Sequence, residues 1–598
     1  MWLALLFTTF IVCPTLGETI ETGKYFYFAF VVAAALLFTT YCLLRKKISL
    51  HICFTDIAVF IFSLWVVANC IINKTHPGMS LWLFLLMVSL YVIIRASLYD
   101  SNMIRPLIWC ILIVITVEAI WGLLQLYGIL EPYHVIFTIT GSFFNPGPYA
   151  GFLACGVPFA LLCVFNGRRR AEKILGIICL ISVILILPAT MSRAAWLAVV
   201  AGSIPIILHQ SKIKNQKPLA RRSQSKITKV IFLVFTALFI AGAFFAMYSF
   251  KKHSADGRIL IWKVSAEMIY EKPLTGFGLG SFQVKYDHAQ AKFFLSGKGS
   301  EKQRLLADTP EYAFNEYIQI TVEHGIIGLL LFLVIIFSFL RFAPTFSSAE
   351  PIKNQKSKFV NYLPAVNGSL ITFLVFAFFS YPFSILPLTI LFVILAAMSA
   401  SLNVDYLNFT LIKNQKSKFI NCIICLGLTG YASVEILTRY PAYKEWGHAQ
   451  TLYESDEYEQ AIEKYRRLYP KLNRQKQYLF EYAQCLSAIG QYEKGNELLG
   501  RVLLFGSDPA IFCCMGDNYK NMNDYRKSEN MYQCASEIIP SLYYPLYLLM
   551  MLYHETGQNE KAQLMAKTLL EKPVKVPSKE ISNIQEEAKK IRNMKFSE

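Results

Sequence analysis

Charged residues are scarce in this chain of 598 residues: Asp, Glu, Lys and Arg make up only 16% of it, while 55% is hydrophobic. Soluble globular proteins carry about 25% charged residues. The apolar residues also come in long blocks, which excludes one large soluble core. A membrane span needs about 20 consecutive apolar residues, and many blocks reach that length. The composition therefore predicts an all-α, polytopic membrane protein.

The length rule predicts about thirteen spans. They lie near residues 1–17, 25–44, 54–72, 80–98, 104–127, 148–165, 173–190, 193–209, 229–249, 324–341, 361–380, 384–402 and 419–437. The first block lacks the basic start and the small-residue cleavage site of a signal peptide, so we expect a retained helix there. Residues 1–437 are then one membrane domain, and 250–322 is its single long loop.

The short loops between these spans differ in their content of Lys and Arg. The basic loops are 45–47, 167–170, 211–229 and two copies of IKNQKSKF, at 352–359 and 412–419. Cytoplasmic loops carry the excess of Lys and Arg, so the N-terminus is predicted inside, with 250–322 and everything after 438 outside. The net charge of +18 then reflects topology and contact with anionic lipid, and does not indicate nucleic acid.

Residues 444–570 are charged, Tyr-rich and repetitive. Small residues recur at Ala461, Gly495, Ser528 and Ala562, and a second position recurs at Tyr458, Tyr492, Tyr525 and Asn559. A period of about 34 residues is typical of tetratricopeptide repeats. We predict about four repeats forming an α-solenoid that binds a protein or peptide on its concave surface. Bracing of the membrane domain or self-association is the alternative, and residues 571–598 are a polar tail.

Several polar stretches reach the predicted outer face. They are GSFFNPGPYAG at 141–151, MSRAAWL at 191–197 and, in the long loop, RILIWKVSAEMIYEKP followed by PLTGFGLGSF. Arg193 can snorkel at a span boundary, but a guanidinium also binds phosphate oxygens bidentately. Arg193 and Arg258 on one face would suit a diphosphate. The glycine-rich stretch is either a place where backbone approaches a ligand or only a tight turn.

Four stretches together resemble the O-antigen ligase family in order and spacing: GSFFNPGPYAGFLA, SRAAWLAVVAG, GRILIWKVSAEMIYEKPLTGFGLGSF and FNEYIQITVEHGIIGLLLFL. The superfamily also includes O-antigen polymerases and bacterial protein O-oligosaccharyltransferases. The resemblance implies a GT-C type helical bundle in the bacterial inner membrane with a periplasmic active site. It implies transfer of a glycan from undecaprenyl diphosphate to a hydroxyl of a lipid, a polysaccharide or a protein. No cofactor or metal is implied, and the chain has no D-x-D motif.

Carried over by this resemblance, Arg193 and Arg258 would bind the diphosphate and stabilise charge on the leaving group. Asn315 matches the Asn of the family's H-N motif. Asn145, Lys263, Gly278 and Tyr317 are further candidate substrate-binding residues.

The chain departs from the family at Phe314, where the family has the His expected to activate the acceptor hydroxyl. Phenylalanine cannot accept a proton. Because a general base must first be within reach, we predict Glu316 as its replacement. Glu323 and His324 are nearby alternatives, and His253 and His288 are more distant ones. A purely structural carboxylate is the competing interpretation for each acidic residue.

Two other classes of protein stay open. A transporter of lipid-linked oligosaccharide would suit ionisable groups at membrane depth, but it predicts an internal duplication that the sequence does not show. An assembly scaffold that has lost its activity would be consistent with Phe314. In the repeat region, Cys485, Cys513, Cys514 and Cys534 leave a disulfide possible without fixing any pairing.

Overall fold

The computed structural model describes residues 1–19, 21–45, 51–75, 78–98, 101–215, 252–340, 362–402, 406–410 and 415–594. The predicted span near 229–249 and the basic octapeptide at 352–359 lie outside these ranges. Among the described cysteines, including the four of the repeat region, none is paired in a disulfide.

The membrane part and its long loop are helical. In the described ranges the helices are α1 Trp2–Phe7, α2 Thr22–Arg45, α3 Phe54–Ile72, α4 Met79–Ser97, α5 Ile104–Leu126, α6 Pro146–Asn166, α7 Arg170–Ile186, α8 Arg193–Asn215, α9 Lys252–Glu271, α10 Ser281–Leu295, α11 Glu301–Leu306, α12 Glu316–Phe339, α13 Leu363–Phe378 and α14 Leu386–Leu402. The next helix, α15 Gln415–Glu454, leads into the repeat region.

Eight helices of the described chain are long and apolar enough to cross a membrane, namely α2 to α6, α8, α12 and α15. Two shorter apolar helices, α13 and α14, lie beside them. The prediction of an all-α, polytopic membrane protein is therefore confirmed.

The first predicted span does not form. Residues 1–17 hold only α1 and a 3-10 turn, Thr8–Phe10, and residues 11–17 form neither helix nor strand. Pro14 disfavours helix at the residue before it. Gly17 packs so closely on Trp446 of α15 that a Cβ at Gly17 would lie 2.5 Å from the indole. The expectation of a retained helix over 1–17 is thus wrong, because this stretch turns to contact α15.

Two ends of the bundle can be distinguished. At one end two short strands, β1 His51–Cys53 and β2 Tyr406–Thr410, which come after α2 and α14 in the chain, pair antiparallel. An all-α chain was predicted, so this small sheet is an addition. Close by, Arg95 forms an ion pair of 2.7 Å with Asp56. Residues 252–315 lie at the other end, called the loop end below.

The C-terminal region is an α-solenoid, as predicted. Its helices are α16 Tyr458–Leu472, α17 Lys476–Ala488, α18 Tyr492–Val502, α19 Pro509–Asn521, α20 Tyr525–Ile538, α21 Tyr544–Glu555, α22 Asn559–Glu571 and α23 Lys579–Asn593. The small residues of the repeat allow close packing. Ala461, Ser528 and Ala562 are fully buried, and a Cβ at Gly516 would lie 2.4 Å from the ring of Tyr532.

The solenoid packs against the long loop. Gln290 of α10 is fully buried, and its amide donates hydrogen bonds to the carbonyl oxygens of Ile538 at 2.8 Å and Asp308 at 3.0 Å. Ile538 and Ile539 share an apolar cluster with Phe293 and Phe294 of α10. The repeats are therefore docked on the loop end of the membrane part.

Candidate functional site

Helix α12 begins earlier than the sequence predicted and is broken inside. The predicted loop ran to residue 322 and the span began at 324, but α12 starts at Glu316 and has a break at Gly325, with φ 69° and ψ −176°. Only glycine adopts such backbone readily. A Cβ at Gly325 would also lie 2.0 Å from the Leu274 carbonyl oxygen. The stretch 316–324 is therefore a short helix at the loop end, followed by the membrane span proper.

The glycine-rich stretch of the loop provides hydrogen-bond partners for the backbone groups around this break. Backbone N–H groups of Phe277 and Gly278 donate to the carbonyl oxygens of Val322 at 2.9 Å and Glu323 at 2.7 Å. The N–H of Ile326 donates to Pro273 O at 2.8 Å. Polar backbone at membrane depth requires such partners. Gly278, predicted to approach a ligand, is placed beside Thr75, where a Cβ would lie 2.4 Å from the side chain.

Arg258 sits over the residue that replaces the family's histidine. Its guanidinium carbon lies 5.2 Å from the ring centroid of Phe314. One turn further along α9, the indole N–H of Trp262 donates to Ala313 O at 3.0 Å. The R-x-x-x-W spacing therefore fixes Arg258 against the segment that leads into α12.

Arg193 lies near enough to Arg258 for its charge to act on the Arg258 guanidinium. Burial, together with the charge of Arg193, lowers the pKa of Arg258, and the nearby Tyr381 opposes this shift. Two guanidinium groups that act on each other in this way repel, and an anion bound between them would relieve the repulsion. The structure thus brings together the two residues that were predicted to bind a diphosphate.

Three helices begin at the loop end with the same turn. Two residues before the first helical residue of α6, α8 and α12, the backbone is left-handed, at Phe144 with φ 57°, Met191 with φ 53° and Phe314 with φ 52°. The next residues are Asn145, Ser192 and Asn315, which are preferred helix N-caps. Asn145 accepts from Gly147 N at 2.8 Å, and Asn315 accepts from Tyr317 N and Ile318 N at 3.0 and 3.1 Å. Helix N-termini carry partial positive charge, which favours a bound anion.

The acidic residues after Asn315 are enclosed by the protein. Glu316 is 3% exposed, and its carboxylate accepts a hydrogen bond from Phe383 N at 2.6 Å. Glu323 is 7% exposed and accepts from Gly280 N at 3.0 Å. His324 is 4% exposed, with its ring 6.2 Å from that of Phe62. The hydroxyl of Tyr317 donates to Leu374 O at 3.2 Å.

Other predicted residues lie apart from the arginines. Lys263 is exposed on α9, about 140° around the helix from Arg258 given 3.6 residues per turn. His288 is exposed on α10. The side chain of His253 lies outside the described residues. Within the described chain, no group of three His, Cys, Asp or Glu side chains is arranged to hold a metal ion.

An aromatic wall beside Arg258 was not predicted from the sequence. The ring of Tyr381, in the turn between α13 and α14, lies edge-on to Phe314 at 5.2 Å. Tyr312 stacks on Tyr381 with 4.3 Å between ring centroids and 12° between planes. The exposed Glu311 directly precedes Tyr312. The tyrosines just before Asn315 and in the short turn at 379–385 were the available sequence signal.

A buried lysine also borders this region. Lys24, at the start of α2, is 1% exposed, donates to Ser142 O at 2.7 Å and pairs with Glu21 at 3.4 Å. Its ammonium lies 5.6 Å from the ring of Phe144, next to Asn145. The start of α2 is therefore tied to the start of α6. Nothing in the sequence around Lys24 indicated this contact.

Fold and site together define a multi-pass membrane protein with clustered arginines beside a broken helix. Residues 177–333 match the family model described as O-antigen ligase, and residues 441–505 match one described as YpiA-like, C-terminal tetratricopeptide repeats. The first match contains Arg193, Arg258 and the Phe314–Asn315 pair. The membrane part therefore carries an O-antigen ligase domain and the C-terminal part carries tetratricopeptide repeats, which confirms the resemblance.

The chain is also similar to named bacterial proteins. A Rickettsia conorii protein named as a polysaccharide ligase is 28% identical over 214 residues, which are 35% of this chain and 47% of that protein. A polysaccharide ligase by name from Rickettsia felis is 33% identical over 109 residues, 18% of this chain and 25% of its own. The ComP-specific O-oligosaccharyltransferase of Acinetobacter baylyi is 22% identical over 344 residues, 54% of this chain and 56% of its own. The matched stretches thus span about half of these relatives or less.

Proposed function

We propose that this protein transfers a glycan, as one block, from undecaprenyl diphosphate to an acceptor hydroxyl at the loop end of the membrane domain. The proximity of Arg193 and Arg258 is the observation that carries the proposal. That proximity is inferred from the lowered pKa of Arg258, whose first cause is burial and whose second is the charge of Arg193. A diphosphate is the lipid-linked anion that two guanidinium forks fit best.

The chemistry needs charge stabilisation on the departing diphosphate. As the bond between the anomeric carbon and the phosphate oxygen breaks, negative charge grows on the diphosphate. Arg193 and Arg258 would stabilise this charge, and the N-termini of α6, α8 and α12 would add partial positive charge. These groups supply the positive charge that a metal ion supplies in other transferases, so the proposed reaction is metal-independent. Asn315 holds the start of α12 in place next to Phe314.

The acceptor is proposed to be of the ligase type, a lipid or polysaccharide hydroxyl, because two of the relatives are named as polysaccharide ligases. A protein hydroxyl is the second candidate. The Acinetobacter relative, which matches the largest share of this chain of the three, is named as an O-oligosaccharyltransferase. The docked repeats would then present or recruit a protein. By the positive-inside pattern, the loop end and the repeats lie on the periplasmic side of the inner membrane.

The test uses the full-length protein in liposomes with an undecaprenyl-diphosphate-linked oligosaccharide. Lipid A core, a free oligosaccharide and a Ser/Thr-rich periplasmic protein are offered separately as acceptors. Removal of one group that stabilises developing charge costs about 100-fold or more in rate. We therefore expect Arg193→Ala and Arg258→Ala each to reduce transfer by at least about 100-fold. Arg467→Ala is the matched control, because Arg467 is 76% exposed on the repeats and forms an ion pair with Glu463 one helical turn away.

Two results would count against parts of this proposal. Full transfer in both arginine variants would overturn the diphosphate site. No product with any of the acceptors, from folded protein that still binds the donor, would favour the transporter or the scaffold. A strain that lacks the protein separates those two, since lipid-linked donor accumulates inside the cell only if transport has been lost.

A further inference from the structure

The proposed transfer lacks an assigned proton acceptor, because Phe314 occupies the family's histidine position. A group that activates an acceptor hydroxyl must be reachable by the acceptor. Glu316 and Glu323 are buried, and each accepts a backbone hydrogen bond from Phe383 or Gly280. His324 is buried against Phe62 at the break in α12. All three belong to the packing that holds the broken helix.

Glu311 differs from these residues in being exposed and next to the arginine site. It is attached to Tyr312, whose ring stacks on Tyr381, and Tyr381 in turn contacts Phe314 beneath Arg258. Burial, followed by the Glu311 carboxylate, raises the pKa of Tyr381 to about 12, and Arg258 acts in the opposite direction. The charges of Glu311 and Arg258 therefore both act on the hydroxyl of Tyr381, with opposite effects on its pKa.

Besides Glu311 and Arg258, one more charged group acts on the pKa of Tyr381. Glu21 also acts on Tyr381, but it is engaged by the buried ammonium of Lys24 at 3.4 Å. Tyr25, at the start of α2, lies near Glu311, Glu21 and Glu18. Glu311 is thus the acidic group that combines exposure with a place on the aromatic wall of the arginine site.

We propose that Glu311 accepts the proton of the acceptor hydroxyl, in a role that rests on the transferase function proposed above. The acceptor oxygen forms a bond to the anomeric carbon of the donor glycan. The bond from that carbon to the diphosphate breaks, and its electron pair leaves with the undecaprenyl diphosphate, which Arg193 and Arg258 hold. The hydroxyl proton moves to the Glu311 carboxylate and then to water. Tyr312 and Tyr381 position an acceptor between the carboxylate and the arginines.

The first measurement compares Glu311→Gln with Glu316→Gln and with the control Glu301→Gln in the reconstituted assay. Loss of a general base costs about 100-fold to 10,000-fold in rate. We expect a loss in that range for Glu311→Gln with unchanged donor binding. Glu301 lies on the same loop and is 95% exposed, so Glu301→Gln should transfer at the wild-type rate. Because Glu311 is exposed, its substitution is not expected to disturb folding.

A second measurement separates proton transfer from mere positioning. In the double variant that combines Glu311→Gln with Phe314→His, an imidazole occupies the position at which the family has histidine. We expect this variant to recover at least about 10-fold of the lost rate. That recovered rate should fall as the pH drops below about 6.5, where imidazole becomes protonated. Recovery with this pH profile is not expected if Glu311 only holds the loop in shape.

The outcomes distinguish this proposal from the function it rests on. Wild-type transfer in Glu311→Gln, with both arginine variants inactive, overturns Glu311 and leaves the transferase standing. Loss confined to Glu316→Gln assigns the role to Glu316 instead. If Glu311→Gln and both arginine variants all transfer at the wild-type rate, the arginine site and Glu311 are both overturned while the transfer activity stands. No transfer by the wild-type protein with any acceptor means that the proposed function fails together with its base.

Discussion

The guanidinium of Arg258 lies 5.2 Å from the ring centroid of Phe314, at the residue where related sequences are expected to carry histidine. Phe314 is held with φ 52° between Ala313, whose carbonyl binds Trp262, and the N-cap Asn315. A left-handed conformation at a non-glycine residue costs of order 1 kcal/mol and persists only when its surroundings fix it. Phe314 therefore supports the arginine site, and its presence is no reason to regard the site as inactive.

Replacing Phe314 with Leu is expected to weaken use of the donor. The aromatic face contributes about 0.5–2 kcal/mol to a cation held above it, which corresponds to about 2-fold to 30-fold in kcat/KM for the donor. Phe314→Tyr keeps the ring and should stay close to wild type. The measurement is kcat/KM at donor concentrations well below saturation. Equal values for Phe314→Leu and Phe314→Tyr would show that the ring has no electrostatic role.

Replacing Gly325 with Ala is expected to destabilise the membrane domain. A Cβ would lie 2.0 Å from the Leu274 carbonyl oxygen, and the φ of 69° disfavours any other residue. Strain of this kind costs about 1–3 kcal/mol, seen as a lower unfolding midpoint in detergent. Gly430→Ala in α15 is the matched control, because nothing lies within 4 Å of a Cβ there. An unchanged midpoint in Gly325→Ala would mean that the break can close.

The stability of the folded protein should depend on pH through Asp287 of α10, the loop helix on which the repeats are docked. Burial raises the pKa of this carboxyl to about 7, with Asp508 and Asp308 adding to the effect and Lys476 opposing it. An unfolded Asp titrates near 3.9. Between these values the folded state binds more protons than the unfolded state, so stability falls as the pH rises from about 4 to about 7.

Asp287→Asn removes this titration. Three pKa units correspond to at most about 4 kcal/mol, so the unfolding midpoint of Asp287→Asn relative to wild type should rise as the pH goes from 5 to 8. The exposed Glu301→Gln serves as control and should follow wild type at every pH. A difference between Asp287→Asn and wild type that is constant over this range would contradict the assignment.

The sequence predicted the elements whose signal is local. The long apolar blocks marked the spans, and α3, α5 and α8 begin at or next to the predicted residues. The 34-residue period marked the repeats, and Arg258 and Trp262 lie in one of the stretches that resemble the O-antigen ligase family. The distribution of Lys and Arg predicted that these motifs share one face of the membrane.

Contacts between distant segments could not be predicted in this way. The start of α12 at Glu316 depends on Phe277 and Gly278, about forty residues earlier, which bind the carbonyl groups that a break at Gly325 exposes. Residues 1–17 were predicted as a span because the prediction could not include the packing of Gly17 on Trp446. The aromatic wall likewise joins Tyr312 to Tyr381, from two segments that no periodicity relates.

Helix α15 runs without interruption from Gln415 to Glu454 and crosses the boundary, predicted at 437–444, between the membrane domain and the repeats. At 1.5 Å per residue, its forty residues measure about 60 Å. The helix continues through Pro441 of this boundary, which lacks the N–H for one helical hydrogen bond and favours a bend there. A load applied to the repeats is therefore transmitted to the bilayer as a bend or a change in tilt of α15. A ligand that shifts the repeats by a few degrees would therefore be reported by lipid-facing probes on the span.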